Sequence, residues 1–389
     1  MRFALCNRRI RRVYLEYSKD QKKMQKENNC TSSIEQVSGE VLVDEKNGNV
    51  IDWQGYKLKS EEMADIYERI GDKLGKVEAQ TPYHKKSERV RKCAHTLVYR
   101  YYPELHEKCL YQAFFCKVRL CPMCTWRRSL KVFGQVSRVM DYMTENKDYK
   151  YLFLGLTAKN VHGSELSDEF DRFFKAFNLM TKLKAFKAVS KGWFRCLEVT
   201  RNWTMDEYHP HFHVIIAVNK SYFTDAKVYL EQKKWAKMWQ NCLGIDYEPR
   251  VDIRTIKPDE IDDDGQPFAV QYKKAVAEVA KYTVKGEDVI LRLDEKFREK
   301  YGNAAYEHFE KEAERLTDET VITLDAALKN RRLIAFGGAL KEIHKMLEMD
   351  DPLDGDLVQI GDEIREDLQY ILLRYRWSVG MSDYFLSRN

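Results

Sequence analysis

The sequence predicts an α+β protein: an antiparallel sheet covered by helices on one face, with a small cysteine-rich module before it and a mainly helical region after it. Three observations predict this. Aromatic and aliphatic residues form strand-like runs at 149–157, 193–200, 209–218 and 250–256. The segments between the outer pairs of these runs carry apolar residues at helical spacing. Three of the nine cysteines, Cys116, Cys121 and Cys124, fall within nine positions.

Four regions follow from the pattern along the chain. Residues 1–92 are rich in Lys, Glu, Asp, Gln and Ser, with a turn signal at Asn47-Gly48 and a helical pattern only from Ser60 to Leu74, so they read as a charged extension, weakly ordered or helical. Residues 93–135 form the cysteine-rich, basic module, and the main domain spans 136–290. Its first strand is Tyr149 to Thr157; Ser167-Asp-Glu then opens a helix with Phe170, Phe173, Phe174 and Phe177 on one stripe. Gly192 ends that stretch, and Trp193–Thr200 and His209–Val218 form a hairpin across the polar segment 201–208. Thr224-Asp225 starts a second helix that aligns Trp235, Met238 and Trp239, and Arg250–Ile256 alternates as a fourth strand. An acidic loop at 259–265 leads into a helix expected over Phe268–Lys285, and residues 291–389 read as mainly helical with an acidic tail.

Composition limits the possible functions. A chain of 389 residues that is 44% hydrophobic and 33% charged is globular, and its length suggests two or three domains. Its longest apolar runs, near 151–158 and 214–218, fall short of the roughly 20 residues that span a bilayer. The basic N-terminus lacks the apolar core of a secretory signal, so a cytoplasmic location is expected, where cysteines stay reduced and serve as ligands or core residues. Net charge is only +5, but it is uneven: residues 81–135 hold twelve Lys and Arg against three acids, and residues 341–370 hold three against ten. The first block suits a phosphate backbone; the alternative is a solvated face.

Chemistry-bearing residues concentrate in three places. In a strand, His211 and His213 point to one face and Phe212, Val214 and Ile216 to the other, so two imidazoles converge where a divalent ion can sit. Glu198 on the partner strand, or His209 on the same face, is the candidate third ligand, and such a mixed set suits Mg²⁺ or Mn²⁺. The alternative is surface histidines on a half-exposed strand. On the expected helix, Glu278 lies four residues before Tyr282, with Lys281 and Lys285 adjacent: a carboxylate, a nucleophile and cations together. An ordinary amphipathic helix is the competing reading. Cys116-x4-Cys121-Pro-Met-Cys124, with Cys93 or Cys109 as fourth thiolate, has the spacing of a structural zinc knuckle. The basic sequence Trp126-Arg127-Arg128 after it is expected to be exposed, and Lys117, Arg119, Arg127 and Arg128 to grip DNA phosphates.

These blocks resemble the replication initiators of rolling-circle bacterial plasmids, within the HUH endonuclease superfamily. The resemblance rests on Phe115 to Arg128, Phe153 to Thr157, Leu197-Glu-Val-Thr200, His209 to Val218, Glu278-Val-Ala-Lys-Tyr282 and Arg331 to Lys341, and covers about residues 90–350. It implies a ferredoxin- or RRM-like palm carrying a metal-dependent nickase. Tyr282 would nick one strand of the plasmid's double-strand origin and stay linked to the 5′ phosphate, His211 and His213 would hold the metal, and Glu278 would activate water to end the cycle. Implied partners are origin DNA, single-stranded at the nick, with the host helicase and replication machinery; a homodimer is possible and no membrane is involved. A transposase or relaxase using the same chemistry, or a non-catalytic zinc-containing DNA-binding regulator, are the rival readings.

Overall fold

The computed structural model describes residues 40–387 apart from 47–48, 76–79, 258–271, 281–282, 294, 361–364 and 367. A two-residue pair, β1 (Glu45–Lys46) and β2 (Asn49–Val50), precedes helices α1 (Trp53–Leu74) and α2 (Pro82–Lys92). Strands β3 (Thr96–Tyr102) and β4 (Glu107–Ala113) follow, then α3 (Pro122–Lys147), β5 (Lys150–Thr157), α4 (Leu166–Met180) and α5 (Lys184–Val189). The long hairpin β6 (Ser190–Asn202) and β7 (Glu207–Val218) leads to α6 (Gln232–Leu243), β8 (Val251–Ile256), α7 (Lys273–Val279) and α8 (Gly286–Val289). The chain ends with α9 (Glu295–Tyr301), α10 (Asn303–Leu328), β9 (Ile334–Gly338), α11 (Ala339–Met346), β10 (Ile371–Ser378) and β11 (Asp383–Leu386).

Local chemistry accounts for several boundaries. Asp52 caps α1 by accepting from the Gly55 N–H, and Thr81 and His84 form a reciprocal capping box at α2 with Pro82 at its first position. Gly244, with φ +68°, ends α6 in the left-handed conformation that glycine adopts without strain. Helix α6 begins at Gln232 and not at Thr224-Asp225, because Asp225 instead closes a local turn by accepting from the Lys227 N–H.

Five strands in the order β8-β5-β7-β6-β9, each antiparallel to its neighbours, form the larger sheet. The run β5-α4-β6-β7-α6-β8 places its four strands in the fourth-first-third-second order of a split βαβ, ferredoxin-like unit, and β9 extends the β6 edge. Helices cover both faces, not one as expected. On one face Phe212 packs against Phe173 and Phe177 of α4 and Trp239 of α6. On the other, the Tyr151 hydroxyl donates to the Met140 carbonyl of α3, and Phe194 meets Phe336, itself against His344 of α11. A strand enclosed on both sides reads as a continuous apolar run, and Tyr151 through Leu156 are all buried.

A second sheet, β11-β10-β3-β4, joins the C-terminal strands to the cysteine-rich region. Ile371 pairs with Tyr101 and Arg376 with Thr96, so the C-terminal region is not simply helical and 93–135 does not close its own sheet. A partner some 270 positions away leaves no local trace in either strand. The 53–92 stretch forms two packed helices, broader than the expected Ser60–Leu74; residues 1–39, the Asn47-Gly48 turn and the acidic 259–265 loop lie outside the described residues. Among the described residues no helix is long and apolar enough to cross a membrane.

The two oppositely charged blocks meet. Arg127 and Arg128 of α3 are 3% and 6% exposed, and Trp126 is buried with them, contrary to the expected exposure. Arg127 donates through Nε to the Leu357 carbonyl and through Nη2 to the Val358 carbonyl, both at 2.9 Å. Arg128 Nε donates to the Leu353 carbonyl, and buried Lys131 reaches Asp350 Oδ2 at 2.6 Å and the Asp356 carbonyl at 2.8 Å. Burial lowers the Arg127 pKa from 12.5 to about 10, which still leaves it charged at neutral pH. Replacing Arg127 with Leu strands two buried carbonyls, so the urea midpoint should fall by the equivalent of about 1–3 kcal/mol. An unchanged midpoint would mean that the 353–358 segment does not depend on this contact.

Candidate active site

Register builds the site. In the β6–β7 hairpin Glu198 lies directly across from His211, Cys196 from His213 and Thr200 from His209, so the carboxylate and imidazoles share one face. Glu198 Oε2 is 2.8 Å from His213 Nε2 and 3.5 Å from His211 Nε2, and its other oxygen is 3.1 Å from Lys285 Nζ. Glu198 is 5% exposed. Burial alone would raise its pKa, but hydrogen bonds and charge from His211 and His213 outweigh burial and hold the carboxyl well below the usual range. Burial lowers Lys285, and the nearby Glu198 charge more than reverses this.

Glu198, His211 and His213 form a group whose donor atoms lie within 4.8 Å of one another and could hold a metal ion. An octahedral site with bonds of about 2.1 Å has donor separations near 3.0 Å, which the 2.8 and 3.5 Å from Glu198 Oε2 to the two imidazoles bracket. Buried Nδ1 of His213 has no hydrogen-bond partner among the described residues. His209 is not part of the group: its Nδ1 lies 2.9 Å from Asn160 Oδ1, and burial, with His211 and Arg250 nearby, lowers its pKa to about 4. Of the two candidate third ligands, the geometry gathers Glu198.

The second group is Cys93, Cys116, Cys121 and Cys124, all buried. Cys93 Sγ and Cys116 Sγ lie 3.4 and 3.6 Å from Cys124 Sγ, near the roughly 3.8 Å edge of a tetrahedron with 2.3 Å metal–sulfur bonds. The Lys117 N–H points to Cys124 Sγ at 3.3 Å and the Cys116 N–H to Cys93 Sγ at 3.4 Å, a backbone cradle for thiolates. Burial pushes the Cys93 and Cys124 thiols up. It would also raise Cys121, but hydrogen bonds from Cys116, Cys124 and Cys93 draw that thiol well down. Cys109, on β4, lies outside the group.

Comparison with known proteins matches residues 107–385 to the family model described as Replication protein. A Protein rep of Bacillus amyloliquefaciens is 37% identical over 351 residues, 87% of this chain and 95% of its own. A Protein rep of a Bacillus species is 39% identical across 82% of this chain and 97% of its own, and one from Streptococcus pneumoniae is 33% identical across 89% and 95%. This chain belongs to the Rep family of plasmid replication initiators. No solved structure matches it.

Against this Rep framework the expected site residues fall into three sets. Glu198, His211, His213 and Lys285 come together, as do the four cysteines. Glu278 turns away to β8, where Arg254 Nη2 donates to both carboxylate oxygens at 2.7 and 2.8 Å. Helix α7 ends at Val279, short of the expected Lys285, and Lys281 and Tyr282 lie outside the described residues. Their flanks are fixed: Ala280 is buried, and the Thr283 carbonyl accepts from the Val199 N–H at 2.7 Å, one residue beyond Glu198. The proposed DNA-gripping cations are engaged internally, Arg127 and Arg128 as above, Lys117 on the Asp354 carbonyl at 2.8 Å, and Arg119 3.4 Å from the Asp354 carboxylate. Buried and turned towards backbone carbonyls, the Arg127 and Arg128 guanidiniums are not presented to a phosphate at the surface, which corrects the role expected of them.

Sequence reasoning missed Asn160, Arg254 and Asp288, none of which belongs to a recognisable spacing. Asp288 of α8 is buried and accepts from the Arg201 N–H at 2.8 Å, which ties the 283–289 segment to β6. Burial raises its pKa from 3.8 to about 6, opposed by that hydrogen bond and by Lys285. Because the folded state holds this proton more tightly than the unfolded chain, its stabilisation is complete below pH 3.8 and is lost as pH rises through about 6. Asp288→Asn keeps the acceptor and removes the charge, so it should stabilise the protein at pH 7.5 by roughly 1–3 kcal/mol and flatten the stability profile between pH 4 and 6. Urea unfolding across that range checks this; identical profiles for variant and parent would refute it.

Proposed function

We propose that this Rep initiates rolling-circle replication by nicking one strand of its plasmid origin, with Tyr282 as nucleophile beside a divalent ion on Glu198, His211 and His213. The observation that carries the reading is the Val199–Thr283 backbone bond, which ties the chain next to Tyr282 to the strand that bears Glu198. Mg²⁺ or Mn²⁺ suits one carboxylate oxygen and two imidazole nitrogens with positions left for phosphate oxygens. When bound, such an ion supplies positive charge beside the scissile phosphate and offsets the charge that grows on it.

The chain's residues do the rest. The Tyr282 phenol loses its proton to water and its oxygen attacks the phosphorus, forming the Tyr282–phosphate bond as the phosphorus–3′ oxygen bond breaks. The departing oxygen takes up a proton, giving the 3′ hydroxyl that primes synthesis. No outside energy is needed, because the phosphotyrosine conserves the bond for rejoining. Lys285, already drawn to this face by Glu198, and Lys281 complement the phosphate's charge. Glu278 serves as base for the water that ends the cycle, and must leave Arg254 to do so.

Incubation with a labelled single-stranded oligonucleotide carrying origin sequence and Mn²⁺ should give a covalent 5′ adduct on denaturing gels. Tyr282→Phe should abolish it, and Glu278→Tyr should keep nicking while permitting re-initiation after one round. An adduct that survives Tyr282→Phe would sink the assignment of the nucleophile.

The four-cysteine group is assigned to structural Zn²⁺, supported by its tetrahedral spacing and burial. Metal analysis of purified protein should find one zinc per chain, retained in Cys109→Ser and lost in Cys121→Ser along with a clear drop in melting temperature. Zinc loss in Cys109→Ser alone would reverse the choice of fourth ligand.

A further inference from the structure

The expected DNA-gripping cations of the cysteine module are bound to the acidic 350–358 segment, so another cationic surface is needed for DNA outside the nick site. The smaller sheet has one. Along β10 alternate residues Leu372, Arg374 and Arg376 are exposed, whereas Leu373 is half-buried and Tyr375 and Trp377 are buried. The register sets Leu372 across from Arg100, Arg374 from Val98 and Arg376 from Thr96, which puts Arg100 on the same outer face. None of these three arginines pairs with a carboxylate among the described residues.

Arg100 is held in place. Its guanidinium lies 4.4 Å from the Tyr111 ring centroid and 4.4 Å from that of Tyr370, two exposed tyrosines that clamp it. Its Nε is sealed from solvent with no hydrogen-bond partner among the described residues. Two neighbouring exposed positions on one strand are separated by about 6.8 Å, the axial rise of two nucleotides along one DNA strand. Arg100 takes up one side of the Tyr111 and Tyr370 rings, so what the face presents in excess is positive charge. Charge at that regular spacing suits the regular phosphates of a duplex backbone.

We propose that this face, centred on Arg100, Arg374 and Arg376, grips the phosphate backbone of duplex DNA while the His211–His213 site acts on the nicked strand. It extends the Rep reading to a second contact and does not depend on the Tyr282 chemistry. Phosphate contacts are independent of sequence, so the probe is a short fluorescent duplex of arbitrary sequence titrated with the full chain at several salt concentrations.

Changing Arg100, Arg374 and Arg376 together to Gln should weaken duplex binding at least tenfold at about 0.1 M salt and lower the log–log salt slope by about three, roughly 0.9 per lost phosphate contact. The matching triple Lys variant should retain most of the slope, which separates lost charge from damaged folding. Single-strand nicking by the Gln variant should stay near the parent level, and Tyr282→Phe should bind the duplex normally. A folded Gln variant with unchanged affinity and slope overturns the proposal, as does a loss confined to single-stranded DNA. Absence of nicking in the parent protein would count against the Tyr282 reading alone.

Discussion

A buried carboxylate flanked by two imidazoles and an ammonium is the interaction on which the functional half of this molecule rests. Glu198 sits at 5% exposure with His211, His213 and Lys285 on its two oxygens. A charge in that position would be costly if unpaired, so it holds the hairpin register, the imidazole orientations and the 283–289 segment in one arrangement. The Thr283 carbonyl on Val199 and the Asp288 carboxyl on the Arg201 N–H fasten the same segment from either side. Together these three contacts bring a stretch distant in sequence against the face of β6 that bears the candidate ligands.

Helix α3 links that centre to the rest of the protein. Its N-cap is Cys121 and its first turn carries Cys124, its middle carries the buried Arg127, Arg128 and Lys131, and its later turns support Tyr151 of the larger sheet. The acidic segment that covers the cations leads into β10 and β11, which finish the smaller sheet. Charge asymmetry along the chain therefore serves folding here. Its two extremes lie more than 200 positions apart and meet through the Lys131–Asp350 ion pair and through arginines that donate to carbonyls of the acidic segment.

Much of the site was legible because it depends on local periodicity. Alternation put His211 and His213 on one face and Phe212 in the core, and the short 201–208 connection required Glu198 to lie opposite. The Cys-x2-Cys knuckle likewise depends on neighbours within one turn. The expected helix through Lys285 failed for a related reason: periodicity carried it past Val279, where α7 stops, and gave no sign that Arg254 on another strand would bind the Glu278 carboxylate. Periodicity also gave no sign that Arg127 and Arg128 point inward, since a charged side chain on a helix is buried only when distant carbonyls meet it.

Taken alone, the sequence determined the hairpin, its histidine-bearing face, the cysteine knuckle and the α+β class, all of which follow from side-chain alternation and helical repeat over a few residues. Tertiary structure decided that Cys93 and not Cys109 is the fourth thiol, that Glu198 and not His209 completes the histidine group, that helices cover both faces, and that the C-terminus closes the smaller sheet. Each of those outcomes depends on which distant groups can satisfy a buried polar atom or an open strand edge. That competition is resolved only when the whole chain has packed.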